Sequence, residues 1–178
     1  MSKIVFLDVD GTLIDYEAKL PASAAKAVGQ ARANGHKVYI CTGCSKAEIL
    51  QRNLCDLDGM IGGNGAYVED NNHVVMHQGL SKEDVKNIVD WCNKRHIGFY
   101  LEANNGMYCN DYMLEQGPET MVKYAKGKGA SLENAKSSAQ HFIDGFIHLQ
   151  GDELYRDDVN KISFILRTYQ DHLDSKVD

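Results

Sequence analysis

The 178-residue chain lacks the features that mark membrane, nucleic-acid-binding and disordered proteins. No apolar run approaches the roughly 20 residues that a membrane-spanning helix needs. The 19 basic and 25 acidic residues give a net charge of −6 without long runs of one sign, so the basic surface of a nucleic-acid binder is absent. A hydrophobic content of 43% is normal for a protein with a real core. These properties favour a small, mildly acidic globular protein.

The sequence also lacks the marks of secretion. Its start, "MSKIVFLDVD", has one lysine and a short apolar run followed by acids, which does not fit a signal peptide. Five cysteines are an odd number at irregular spacing, and a chain of this size needs no covalent staples. We therefore expect free thiols and a cytoplasmic protein.

Cys41 and Cys44 form a C-x-x-C pair in "YICTGCSKAE", a spacing found in redox and zinc sites. A zinc site would lack its second ligand pair, because Cys92 and Cys109 are isolated and no histidine pair accompanies them. A redox role remains an alternative, since a thiol near a helix N-terminus can have a lowered pKa.

The first 80 residues alternate strands and helices, as in a parallel sheet covered by helices. Three strands are predicted, at Lys3–Leu7, His36–Cys41 and Asp58–Gly63, and the first reads as buried on both faces. Pro21 in a first turn and Gly35 as a stop delimit the helix between the first two strands.

Two further signals complete this first section. Ser45 and Glu48 form an S-x-x-E capping box that predicts a helix directly after the second strand. Residues 64–77 predict a turn and an antiparallel hairpin with its polar loop at 70–72.

A different, α+β pattern begins at Ser81. The S-x-x-D start and an apolar stripe predict a helix, with the stripe formed by Val85, Ile88, Val89 and Cys92. Strands, a helix, a polar region over 131–140 and two more strands follow, and the chain ends in a polar helix. We therefore predict two domains, 1–80 and 81–178.

Two aspartates follow the first strand in "FLDVDGTL". Ligands of open parallel sheets bind beyond the carboxyl ends of the strands, and side chains two apart share a face, so Asp8 and Asp10 can converge at a site. A hard cation such as Mg²⁺ would stabilise both charges. Gly11 permits a sharp turn toward a ligand, and Thr12 can hydrogen-bond within the loop, so both are candidate phosphate-binding residues. The alternative is a pair of solvated loop acids, which the preceding strand disfavours.

At these segments the sequence resembles the haloacid dehalogenase superfamily, whose members transfer phosphoryl groups with an aspartate nucleophile and Mg²⁺. "DVDGTL" resembles its motif I, "ICTGCS" resembles motif II, and "MIGGNGAYVED" is similar to a segment of its Cof-type class IIB phosphatases. The likeness is strong from Lys3 to Gly79 and looser from Ser81. It implies a Rossmann-like α/β core with an inserted α+β cap domain.

The resemblance also implies roles for individual residues. Asp8 would be the nucleophile and a Mg²⁺ ligand, and Asp10 would be the general acid and base, with its backbone carbonyl on the metal. Thr42 would hydrogen-bond the phosphoryl oxygens. Gly43 would let the backbone approach them, and Asn64 would line the same pocket.

Three features depart from the family pattern. A motif III lysine and a motif IV "GDGxND"-like loop are not recognisable, so we expect a fragment of a longer enzyme. Lys161 is not expected to substitute, because "NKISFIL" resembles a cap strand far from the site. Cys44 stands where the class usually has arginine, which removes a fixed charge and bidentate donors.

The sequence therefore predicts a Mg²⁺-dependent phosphatase of small phosphorylated metabolites, without nucleic-acid or membrane partners. One alternative is a non-catalytic fragment that binds phosphate or assembles with another chain. A less favoured one is a thiol oxidoreductase that uses Cys41 and Cys44. An incomplete core would expose a sheet edge, so self-association is also expected.

Overall fold

A computed structural model describes residues 1–15 and 19–176 of the chain. The chain divides into two compact units, and the division falls directly after Leu80. The first unit contains Met1–Leu80 together with two short later segments, Glu102–Gly106 and Asp158–Lys161. The second unit contains the rest.

The first unit is built on a five-stranded sheet. Its strands are β1 (Ile4–Leu7), β2 (Lys37–Cys41), β3 (Gly59–Gly62), β4 (Tyr67–Asp70) and β5 (His73–His77). They pair in that order; β1, β2 and β3 run parallel, whereas β4 is antiparallel to both β3 and β5. Leu7 pairs with Ile40, and Cys41 pairs with Ile61. The carboxyl ends of the three parallel strands therefore lie at one edge of the sheet.

The face of β1 that points to the core carries Val5 and Leu7, which pack on the buried cluster of the first unit. Ile4 and Phe6, on the opposite face, are 61% and 56% exposed. The prediction that both faces of this strand are buried is therefore wrong. An apolar run alone does not distinguish a strand covered on two faces from one covered on one face.

Two helices accompany this sheet, α1 (Ala22–Ala33) and the short α2 (Lys46–Leu50). Pro21 is the N-cap of α1, one residue before the predicted first-turn position. The predicted stop at Gly35 is confirmed, since Gly35 follows the C-cap with a φ of +80°. Such a left-handed backbone favours glycine because it has no Cβ.

The cap of α2 differs in part from its prediction. Ser45 Oγ accepts the backbone N–H of Glu48 at 3.3 Å, as a capping box requires. The Glu48 carboxylate does not return the bond but accepts from Arg52. The ion pair with Arg52, which follows the C-terminal end of α2, engages this carboxylate in place of the cap.

The predicted hairpin is confirmed as β4 and β5. Asn71 and Asn72 form its tip with φ angles of 46° and 63°. A two-residue hairpin turn of this kind requires a positive φ at both central residues. After glycine, asparagine is the residue that adopts a positive φ most readily.

The second unit is formed mainly by helices α3 (Lys82–Lys94), α4 (Asp111–Gly127), α5 (Leu132–Asp144) and α6 (Tyr169–Asp174) and by strands β6 (Phe99–Ala103), β7 (Met107–Cys109), β8 (Phe146–His148) and β9 (Val159–Phe164). The strand order is β8-β7-β6-β9. The end of β6 and the start of β9 belong to the first unit.

The helix predicted at Ser81 is confirmed as α3. Ser81 Oγ accepts the backbone N–H of Asp84 at 3.0 Å, and Val85, Val89 and Cys92 are buried. Helix α5 was predicted only as a polar region. Its buried residues are the alanines Ala135 and Ala139, which stand out less in a polar sequence than large apolar residues do.

Asn110 fixes the centre of the second unit. It is 3% exposed and caps α4 by accepting the N–H of Met113 at 3.0 Å. The same Oδ1 accepts the N–H of Phe99 at 3.1 Å, and its Nδ2 donates to the Ile97 carbonyl and to Asn93 Oδ1, each at 3.1 Å. Both ends of the buried amide are therefore paired inside the protein.

None of the helices formed by residues 1–15 and 19–176 combines the length and the apolar character that crossing a membrane requires.

Candidate active site

Three predicted site residues follow three neighbouring parallel strands. Asp8 comes directly after β1, Thr42 directly after β2, and Asn64 lies in the 3₁₀ turn after β3. The Thr42 N–H donates to the Ile61 carbonyl at 2.9 Å, and the Asn64 N–H donates to the Thr42 carbonyl at 3.4 Å. The structure therefore places these residues at the one edge where an open α/β sheet binds ligands.

The loop after β1 presents the Asp8 carboxylate to solvent. Val9, which is fully buried, anchors the loop, and its carbonyl accepts the N–H groups of Thr12 and Leu13 at 3.3 and 3.1 Å. Gly11 turns the chain with a φ of +76°. Thr12 Oγ1 donates to Asp8 Oδ2 at 3.3 Å, so the predicted hydrogen bond within the loop is present.

The loop after β2 supplies a hydroxyl and a close backbone approach. Thr42 is 7% exposed, and its Oγ1 accepts the N–H of Cys44 at 3.2 Å. Because that oxygen accepts, its own proton is available to donate to a ligand. A Cβ on Gly43 would lie 2.9 Å from Asn64 Oδ1, so glycine lets the asparagine side chain lie against the loop. Asn64 has a φ of +57°, which asparagine tolerates better than most residues.

Asp10 is held by a guanidinium that sequence reasoning missed. Arg52 Nη1 donates to Asp10 Oδ1, and Arg52 Nη2 donates to Glu48 Oε1. Cys44 Sγ lies 3.5 Å from Asp10 Oδ2 and 3.3 Å from Glu48 Oε1. The Asp10 side chain is 58% exposed, whereas those of Arg52 and Glu48 are 19% and 9% exposed. The i,i+4 spacing of Glu48 and Arg52 could have indicated their own ion pair, but not the pair with Asp10.

The C-x-x-C pair does not have the properties of a redox site. Cys41 and Cys44 are both free, and Cys41 is exposed. Burial, aided by the charge of Glu48, raises the pKa of Cys44 to about 12. A redox-active thiol needs the opposite shift, because the thiolate is the reactive form.

Lys161 lies against the same loop as Thr42. Its Nζ donates to the Gly43 carbonyl at 2.7 Å and pairs with Glu102 Oε1 at 2.8 Å. The prediction that Lys161 is far from the site is therefore wrong. The strand predicted at "NKISFIL" is present as β9, but the first residues of β9 belong to the first unit.

The carboxylate oxygens of Asp8 and Asp10 are ligands of the kind that a magnesium ion binds. Within residues 1–15 and 19–176 no group of three or more His, Cys, Asp or Glu side chains is arranged to hold a metal. Mg²⁺ does not require one, since it is commonly bound by one or two carboxylates with waters and substrate phosphate. Asp8 offers an exposed carboxylate, whereas one oxygen of Asp10 is engaged by Arg52.

The haloacid dehalogenase-like hydrolase family matches residues 5–177 of the chain. Over 91 residues the chain is 28% identical to "Putative phosphatase YkrA" of Bacillus subtilis, covering 49% of this chain and 35% of that protein. Over 114 residues it is 30% identical to 5-amino-6-(5-phospho-D-ribitylamino)uracil phosphatase YwtE of the same species, covering 63% and 37%. The matches therefore span little more than a third of these curated relatives.

A solved structure has the same fold. That of the HAD subclass IIB sugar phosphatase BT4131 matches with a TM-score of 0.67 and 23% identity, over 98% of this chain and 62% of that one. At this identity the likeness supports the Rossmann-like α/β fold with flanking helices and says nothing further about activity.

Proposed function

This chain belongs to the haloacid dehalogenase-like hydrolase family. We propose that it functions as a Mg²⁺-dependent phosphatase of small phosphorylated metabolites. The observation that carries the proposal is the position of Asp8, Thr42 and Asn64 after three adjacent parallel strands. The two curated relatives support it, since both are named as phosphatases.

In the first step, an oxygen of the Asp8 carboxylate attacks the phosphorus of the monoester. A bond from Asp8 to phosphorus forms, and the bond from phosphorus to the ester oxygen breaks. Asp10, in its protonated form, gives its proton to that oxygen, which leaves as an alcohol. The Thr42 hydroxyl donates to a phosphoryl oxygen and stabilises the charge that builds there.

In the second step, water attacks the phosphorus of the aspartyl-phosphate. Asp10, now a carboxylate, takes a proton from the water, and the Asp8 carboxylate is regenerated as inorganic phosphate leaves. Asp10 thus ends the cycle protonated, as it began. When bound, Mg²⁺ would neutralise the negative charge shared by nucleophile and phosphate, with Asp8 and the backbone carbonyl of Asp10 as protein ligands.

The second unit is, in this proposal, the cap domain that selects the substrate, and the protein is cytoplasmic. All five cysteines are free, which suits a reducing compartment. The exposed apolar side chains of β1, Ile4 and Phe6, support the expectation of self-association.

The test is hydrolysis of a panel of sugar and polyol phosphates by the protein with and without Mg²⁺. Asp8→Asn should lower turnover at least about a thousandfold, because it removes the nucleophile. Asp56→Asn is the matched control, since Asp56 is an exposed carboxylate in a loop of the same unit. Retained turnover in Asp8→Asn would refute the proposed mechanism.

Calorimetry separates the non-catalytic alternative. If the wild-type protein binds Mg²⁺ and orthovanadate but hydrolyses no phosphomonoester, phosphate binding without catalysis replaces the proposal.

A further inference from the structure

Arg52 connects the exposed Asp10 to the interior of the first unit. Its Nη1 donates to Asp10 Oδ1, while Nη2 donates to Glu48 Oε1. The two bonds use different nitrogens of one planar group. A guanidinium can hold two carboxylates in fixed relative positions, which a lysine ammonium does less well.

The interior end of this arrangement is firmly placed. Glu48 lies on α2, and its backbone N–H is capped by Ser45. The Cys44 Sγ lies 3.3 Å from the Glu48 carboxylate and 3.5 Å from Arg52 Nη2. On its interior side the guanidinium therefore contacts a buried carboxylate and a buried thiol. The solvent-facing end is Asp10, whose side chain is otherwise 58% exposed.

We propose that Arg52 is a positioning residue for Asp10, holding its carboxylate in the orientation from which it exchanges protons. This inference rests on the proposed function, in which Asp10 is the general acid and base. Proton transfer needs the carboxylate within hydrogen-bond reach of the leaving oxygen, and an error of about 1 Å can cost a hundredfold in rate. An exposed aspartate without this support would sample several rotamers.

A substitution at position 44 can test whether a guanidinium charge at this place is sufficient, whichever residue supplies it. Cys44 Sγ is within 3.5 Å of Asp10 Oδ2 and closer still to Glu48. We therefore expect an arginine at position 44 to place its guanidinium by the same two carboxylates when residue 52 carries no charge.

The experiment compares kcat and KM for the best substrate of the panel in four proteins: wild type, Arg52→Gln, Arg52→Gln with Cys44→Arg, and Arg32→Gln. We expect Arg52→Gln to lower kcat by about 10- to 100-fold with KM changed less than roughly threefold. Cys44→Arg in that background should restore most of the lost kcat. Arg32→Gln is the control, because Arg32 pairs with Asp58 in the same unit.

A kcat for Arg52→Gln equal to that of the wild type would overturn the proposal. An equal loss of kcat in Arg32→Gln would also overturn it, because the effect would then reflect general stability.

A second measurement needs no activity. The unfolding midpoints of Arg52→Gln, Asp10→Asn and the double variant form a cycle, and paired side chains give shifts that do not add. If the wild type hydrolyses no phosphomonoester, the proposed function fails, but this cycle still tests whether Arg52 and Asp10 interact. Additive shifts in the unfolding midpoint would overturn the inference that Arg52 positions Asp10.

Discussion

Asn64 and Asn110 are the same residue type in two regions of the molecule, and their surroundings are opposite. Asn110 is buried in the second unit, with both its amide oxygen and its amide nitrogen hydrogen-bonded to the protein. Asn64 is exposed at the carboxyl edge of the first sheet, and its side chain makes no hydrogen bond to any other residue that the structure describes. A polar group with its bonding capacity satisfied internally serves stability, whereas one left open is free to bond water or a ligand.

Asn110→Ala should give the largest effect on stability. The variant removes the cap of α4 and leaves the Phe99 N–H and the Ile97 carbonyl buried without their partner. We expect a loss of about 2–4 kcal/mol in the free energy of unfolding, measured with urea. Asn87→Ala, at an exposed position of α3, should stay within about 0.5 kcal/mol. A loss below about 1 kcal/mol in Asn110→Ala would contradict the structural role of Asn110 in this comparison.

Asn64→Gly should give a smaller effect, and on substrate binding instead of stability. Glycine accepts the φ of +57° and removes only the amide. We expect KM for the preferred phosphomonoester to rise by roughly fivefold, about 1 kcal/mol, with the unfolding midpoint unchanged. A changed midpoint with an unchanged KM would mean that Asn64 is a structural residue like Asn110.

Asp58 sharpens the comparison, because it is a first-unit carboxylate with internal partners. The Val38 N–H at 2.8 Å, followed by Arg32 at 3.1 Å, lowers the pKa of Asp58. A lowered pKa means that its contribution is present above about pH 4, the unfolded value, and is lost as pH falls further. Asp58→Asn should cost about 1 kcal/mol at pH 7, and the difference from wild type should shrink toward pH 3. Urea titrations at both pH values measure this, and a difference that grows on acidification would contradict it.

The sequence predicts the first unit well because its signals are local. The strand before Asp8, the stop at Gly35 and the hairpin tip at Asn71 and Asn72 are each decided by a few neighbouring residues. The exposure of one face of β1 was not predictable, since it depends on which segments cover the sheet. Helix α5 was missed because its buried alanines stand out less in a polar sequence than large apolar residues do.

The candidate site divides in the same way. The positions of Asp8, Thr42 and Asn64 after successive strands were predictable from motifs read one at a time. The ion pair of Asp10 with Arg52 spans 42 residues of sequence and the bond of Lys161 to Gly43 spans 118. No local pattern reports contacts of that range, and a strand assignment for "NKISFIL" does not say which unit its lysine joins.

The bond from Lys161 to the Gly43 carbonyl has a consequence for biosynthesis. At roughly 5–20 residues per second, a ribosome adds Lys161 about 6–24 s after Gly43, since 118 residues separate them. The sheet of the first unit can be assembled during that interval, while the Gly43 carbonyl still faces water. Lys161, which also pairs with the buried Glu102, can reach it only after this interval. The loop after β2 is therefore among the last parts of the first unit to acquire its native contacts.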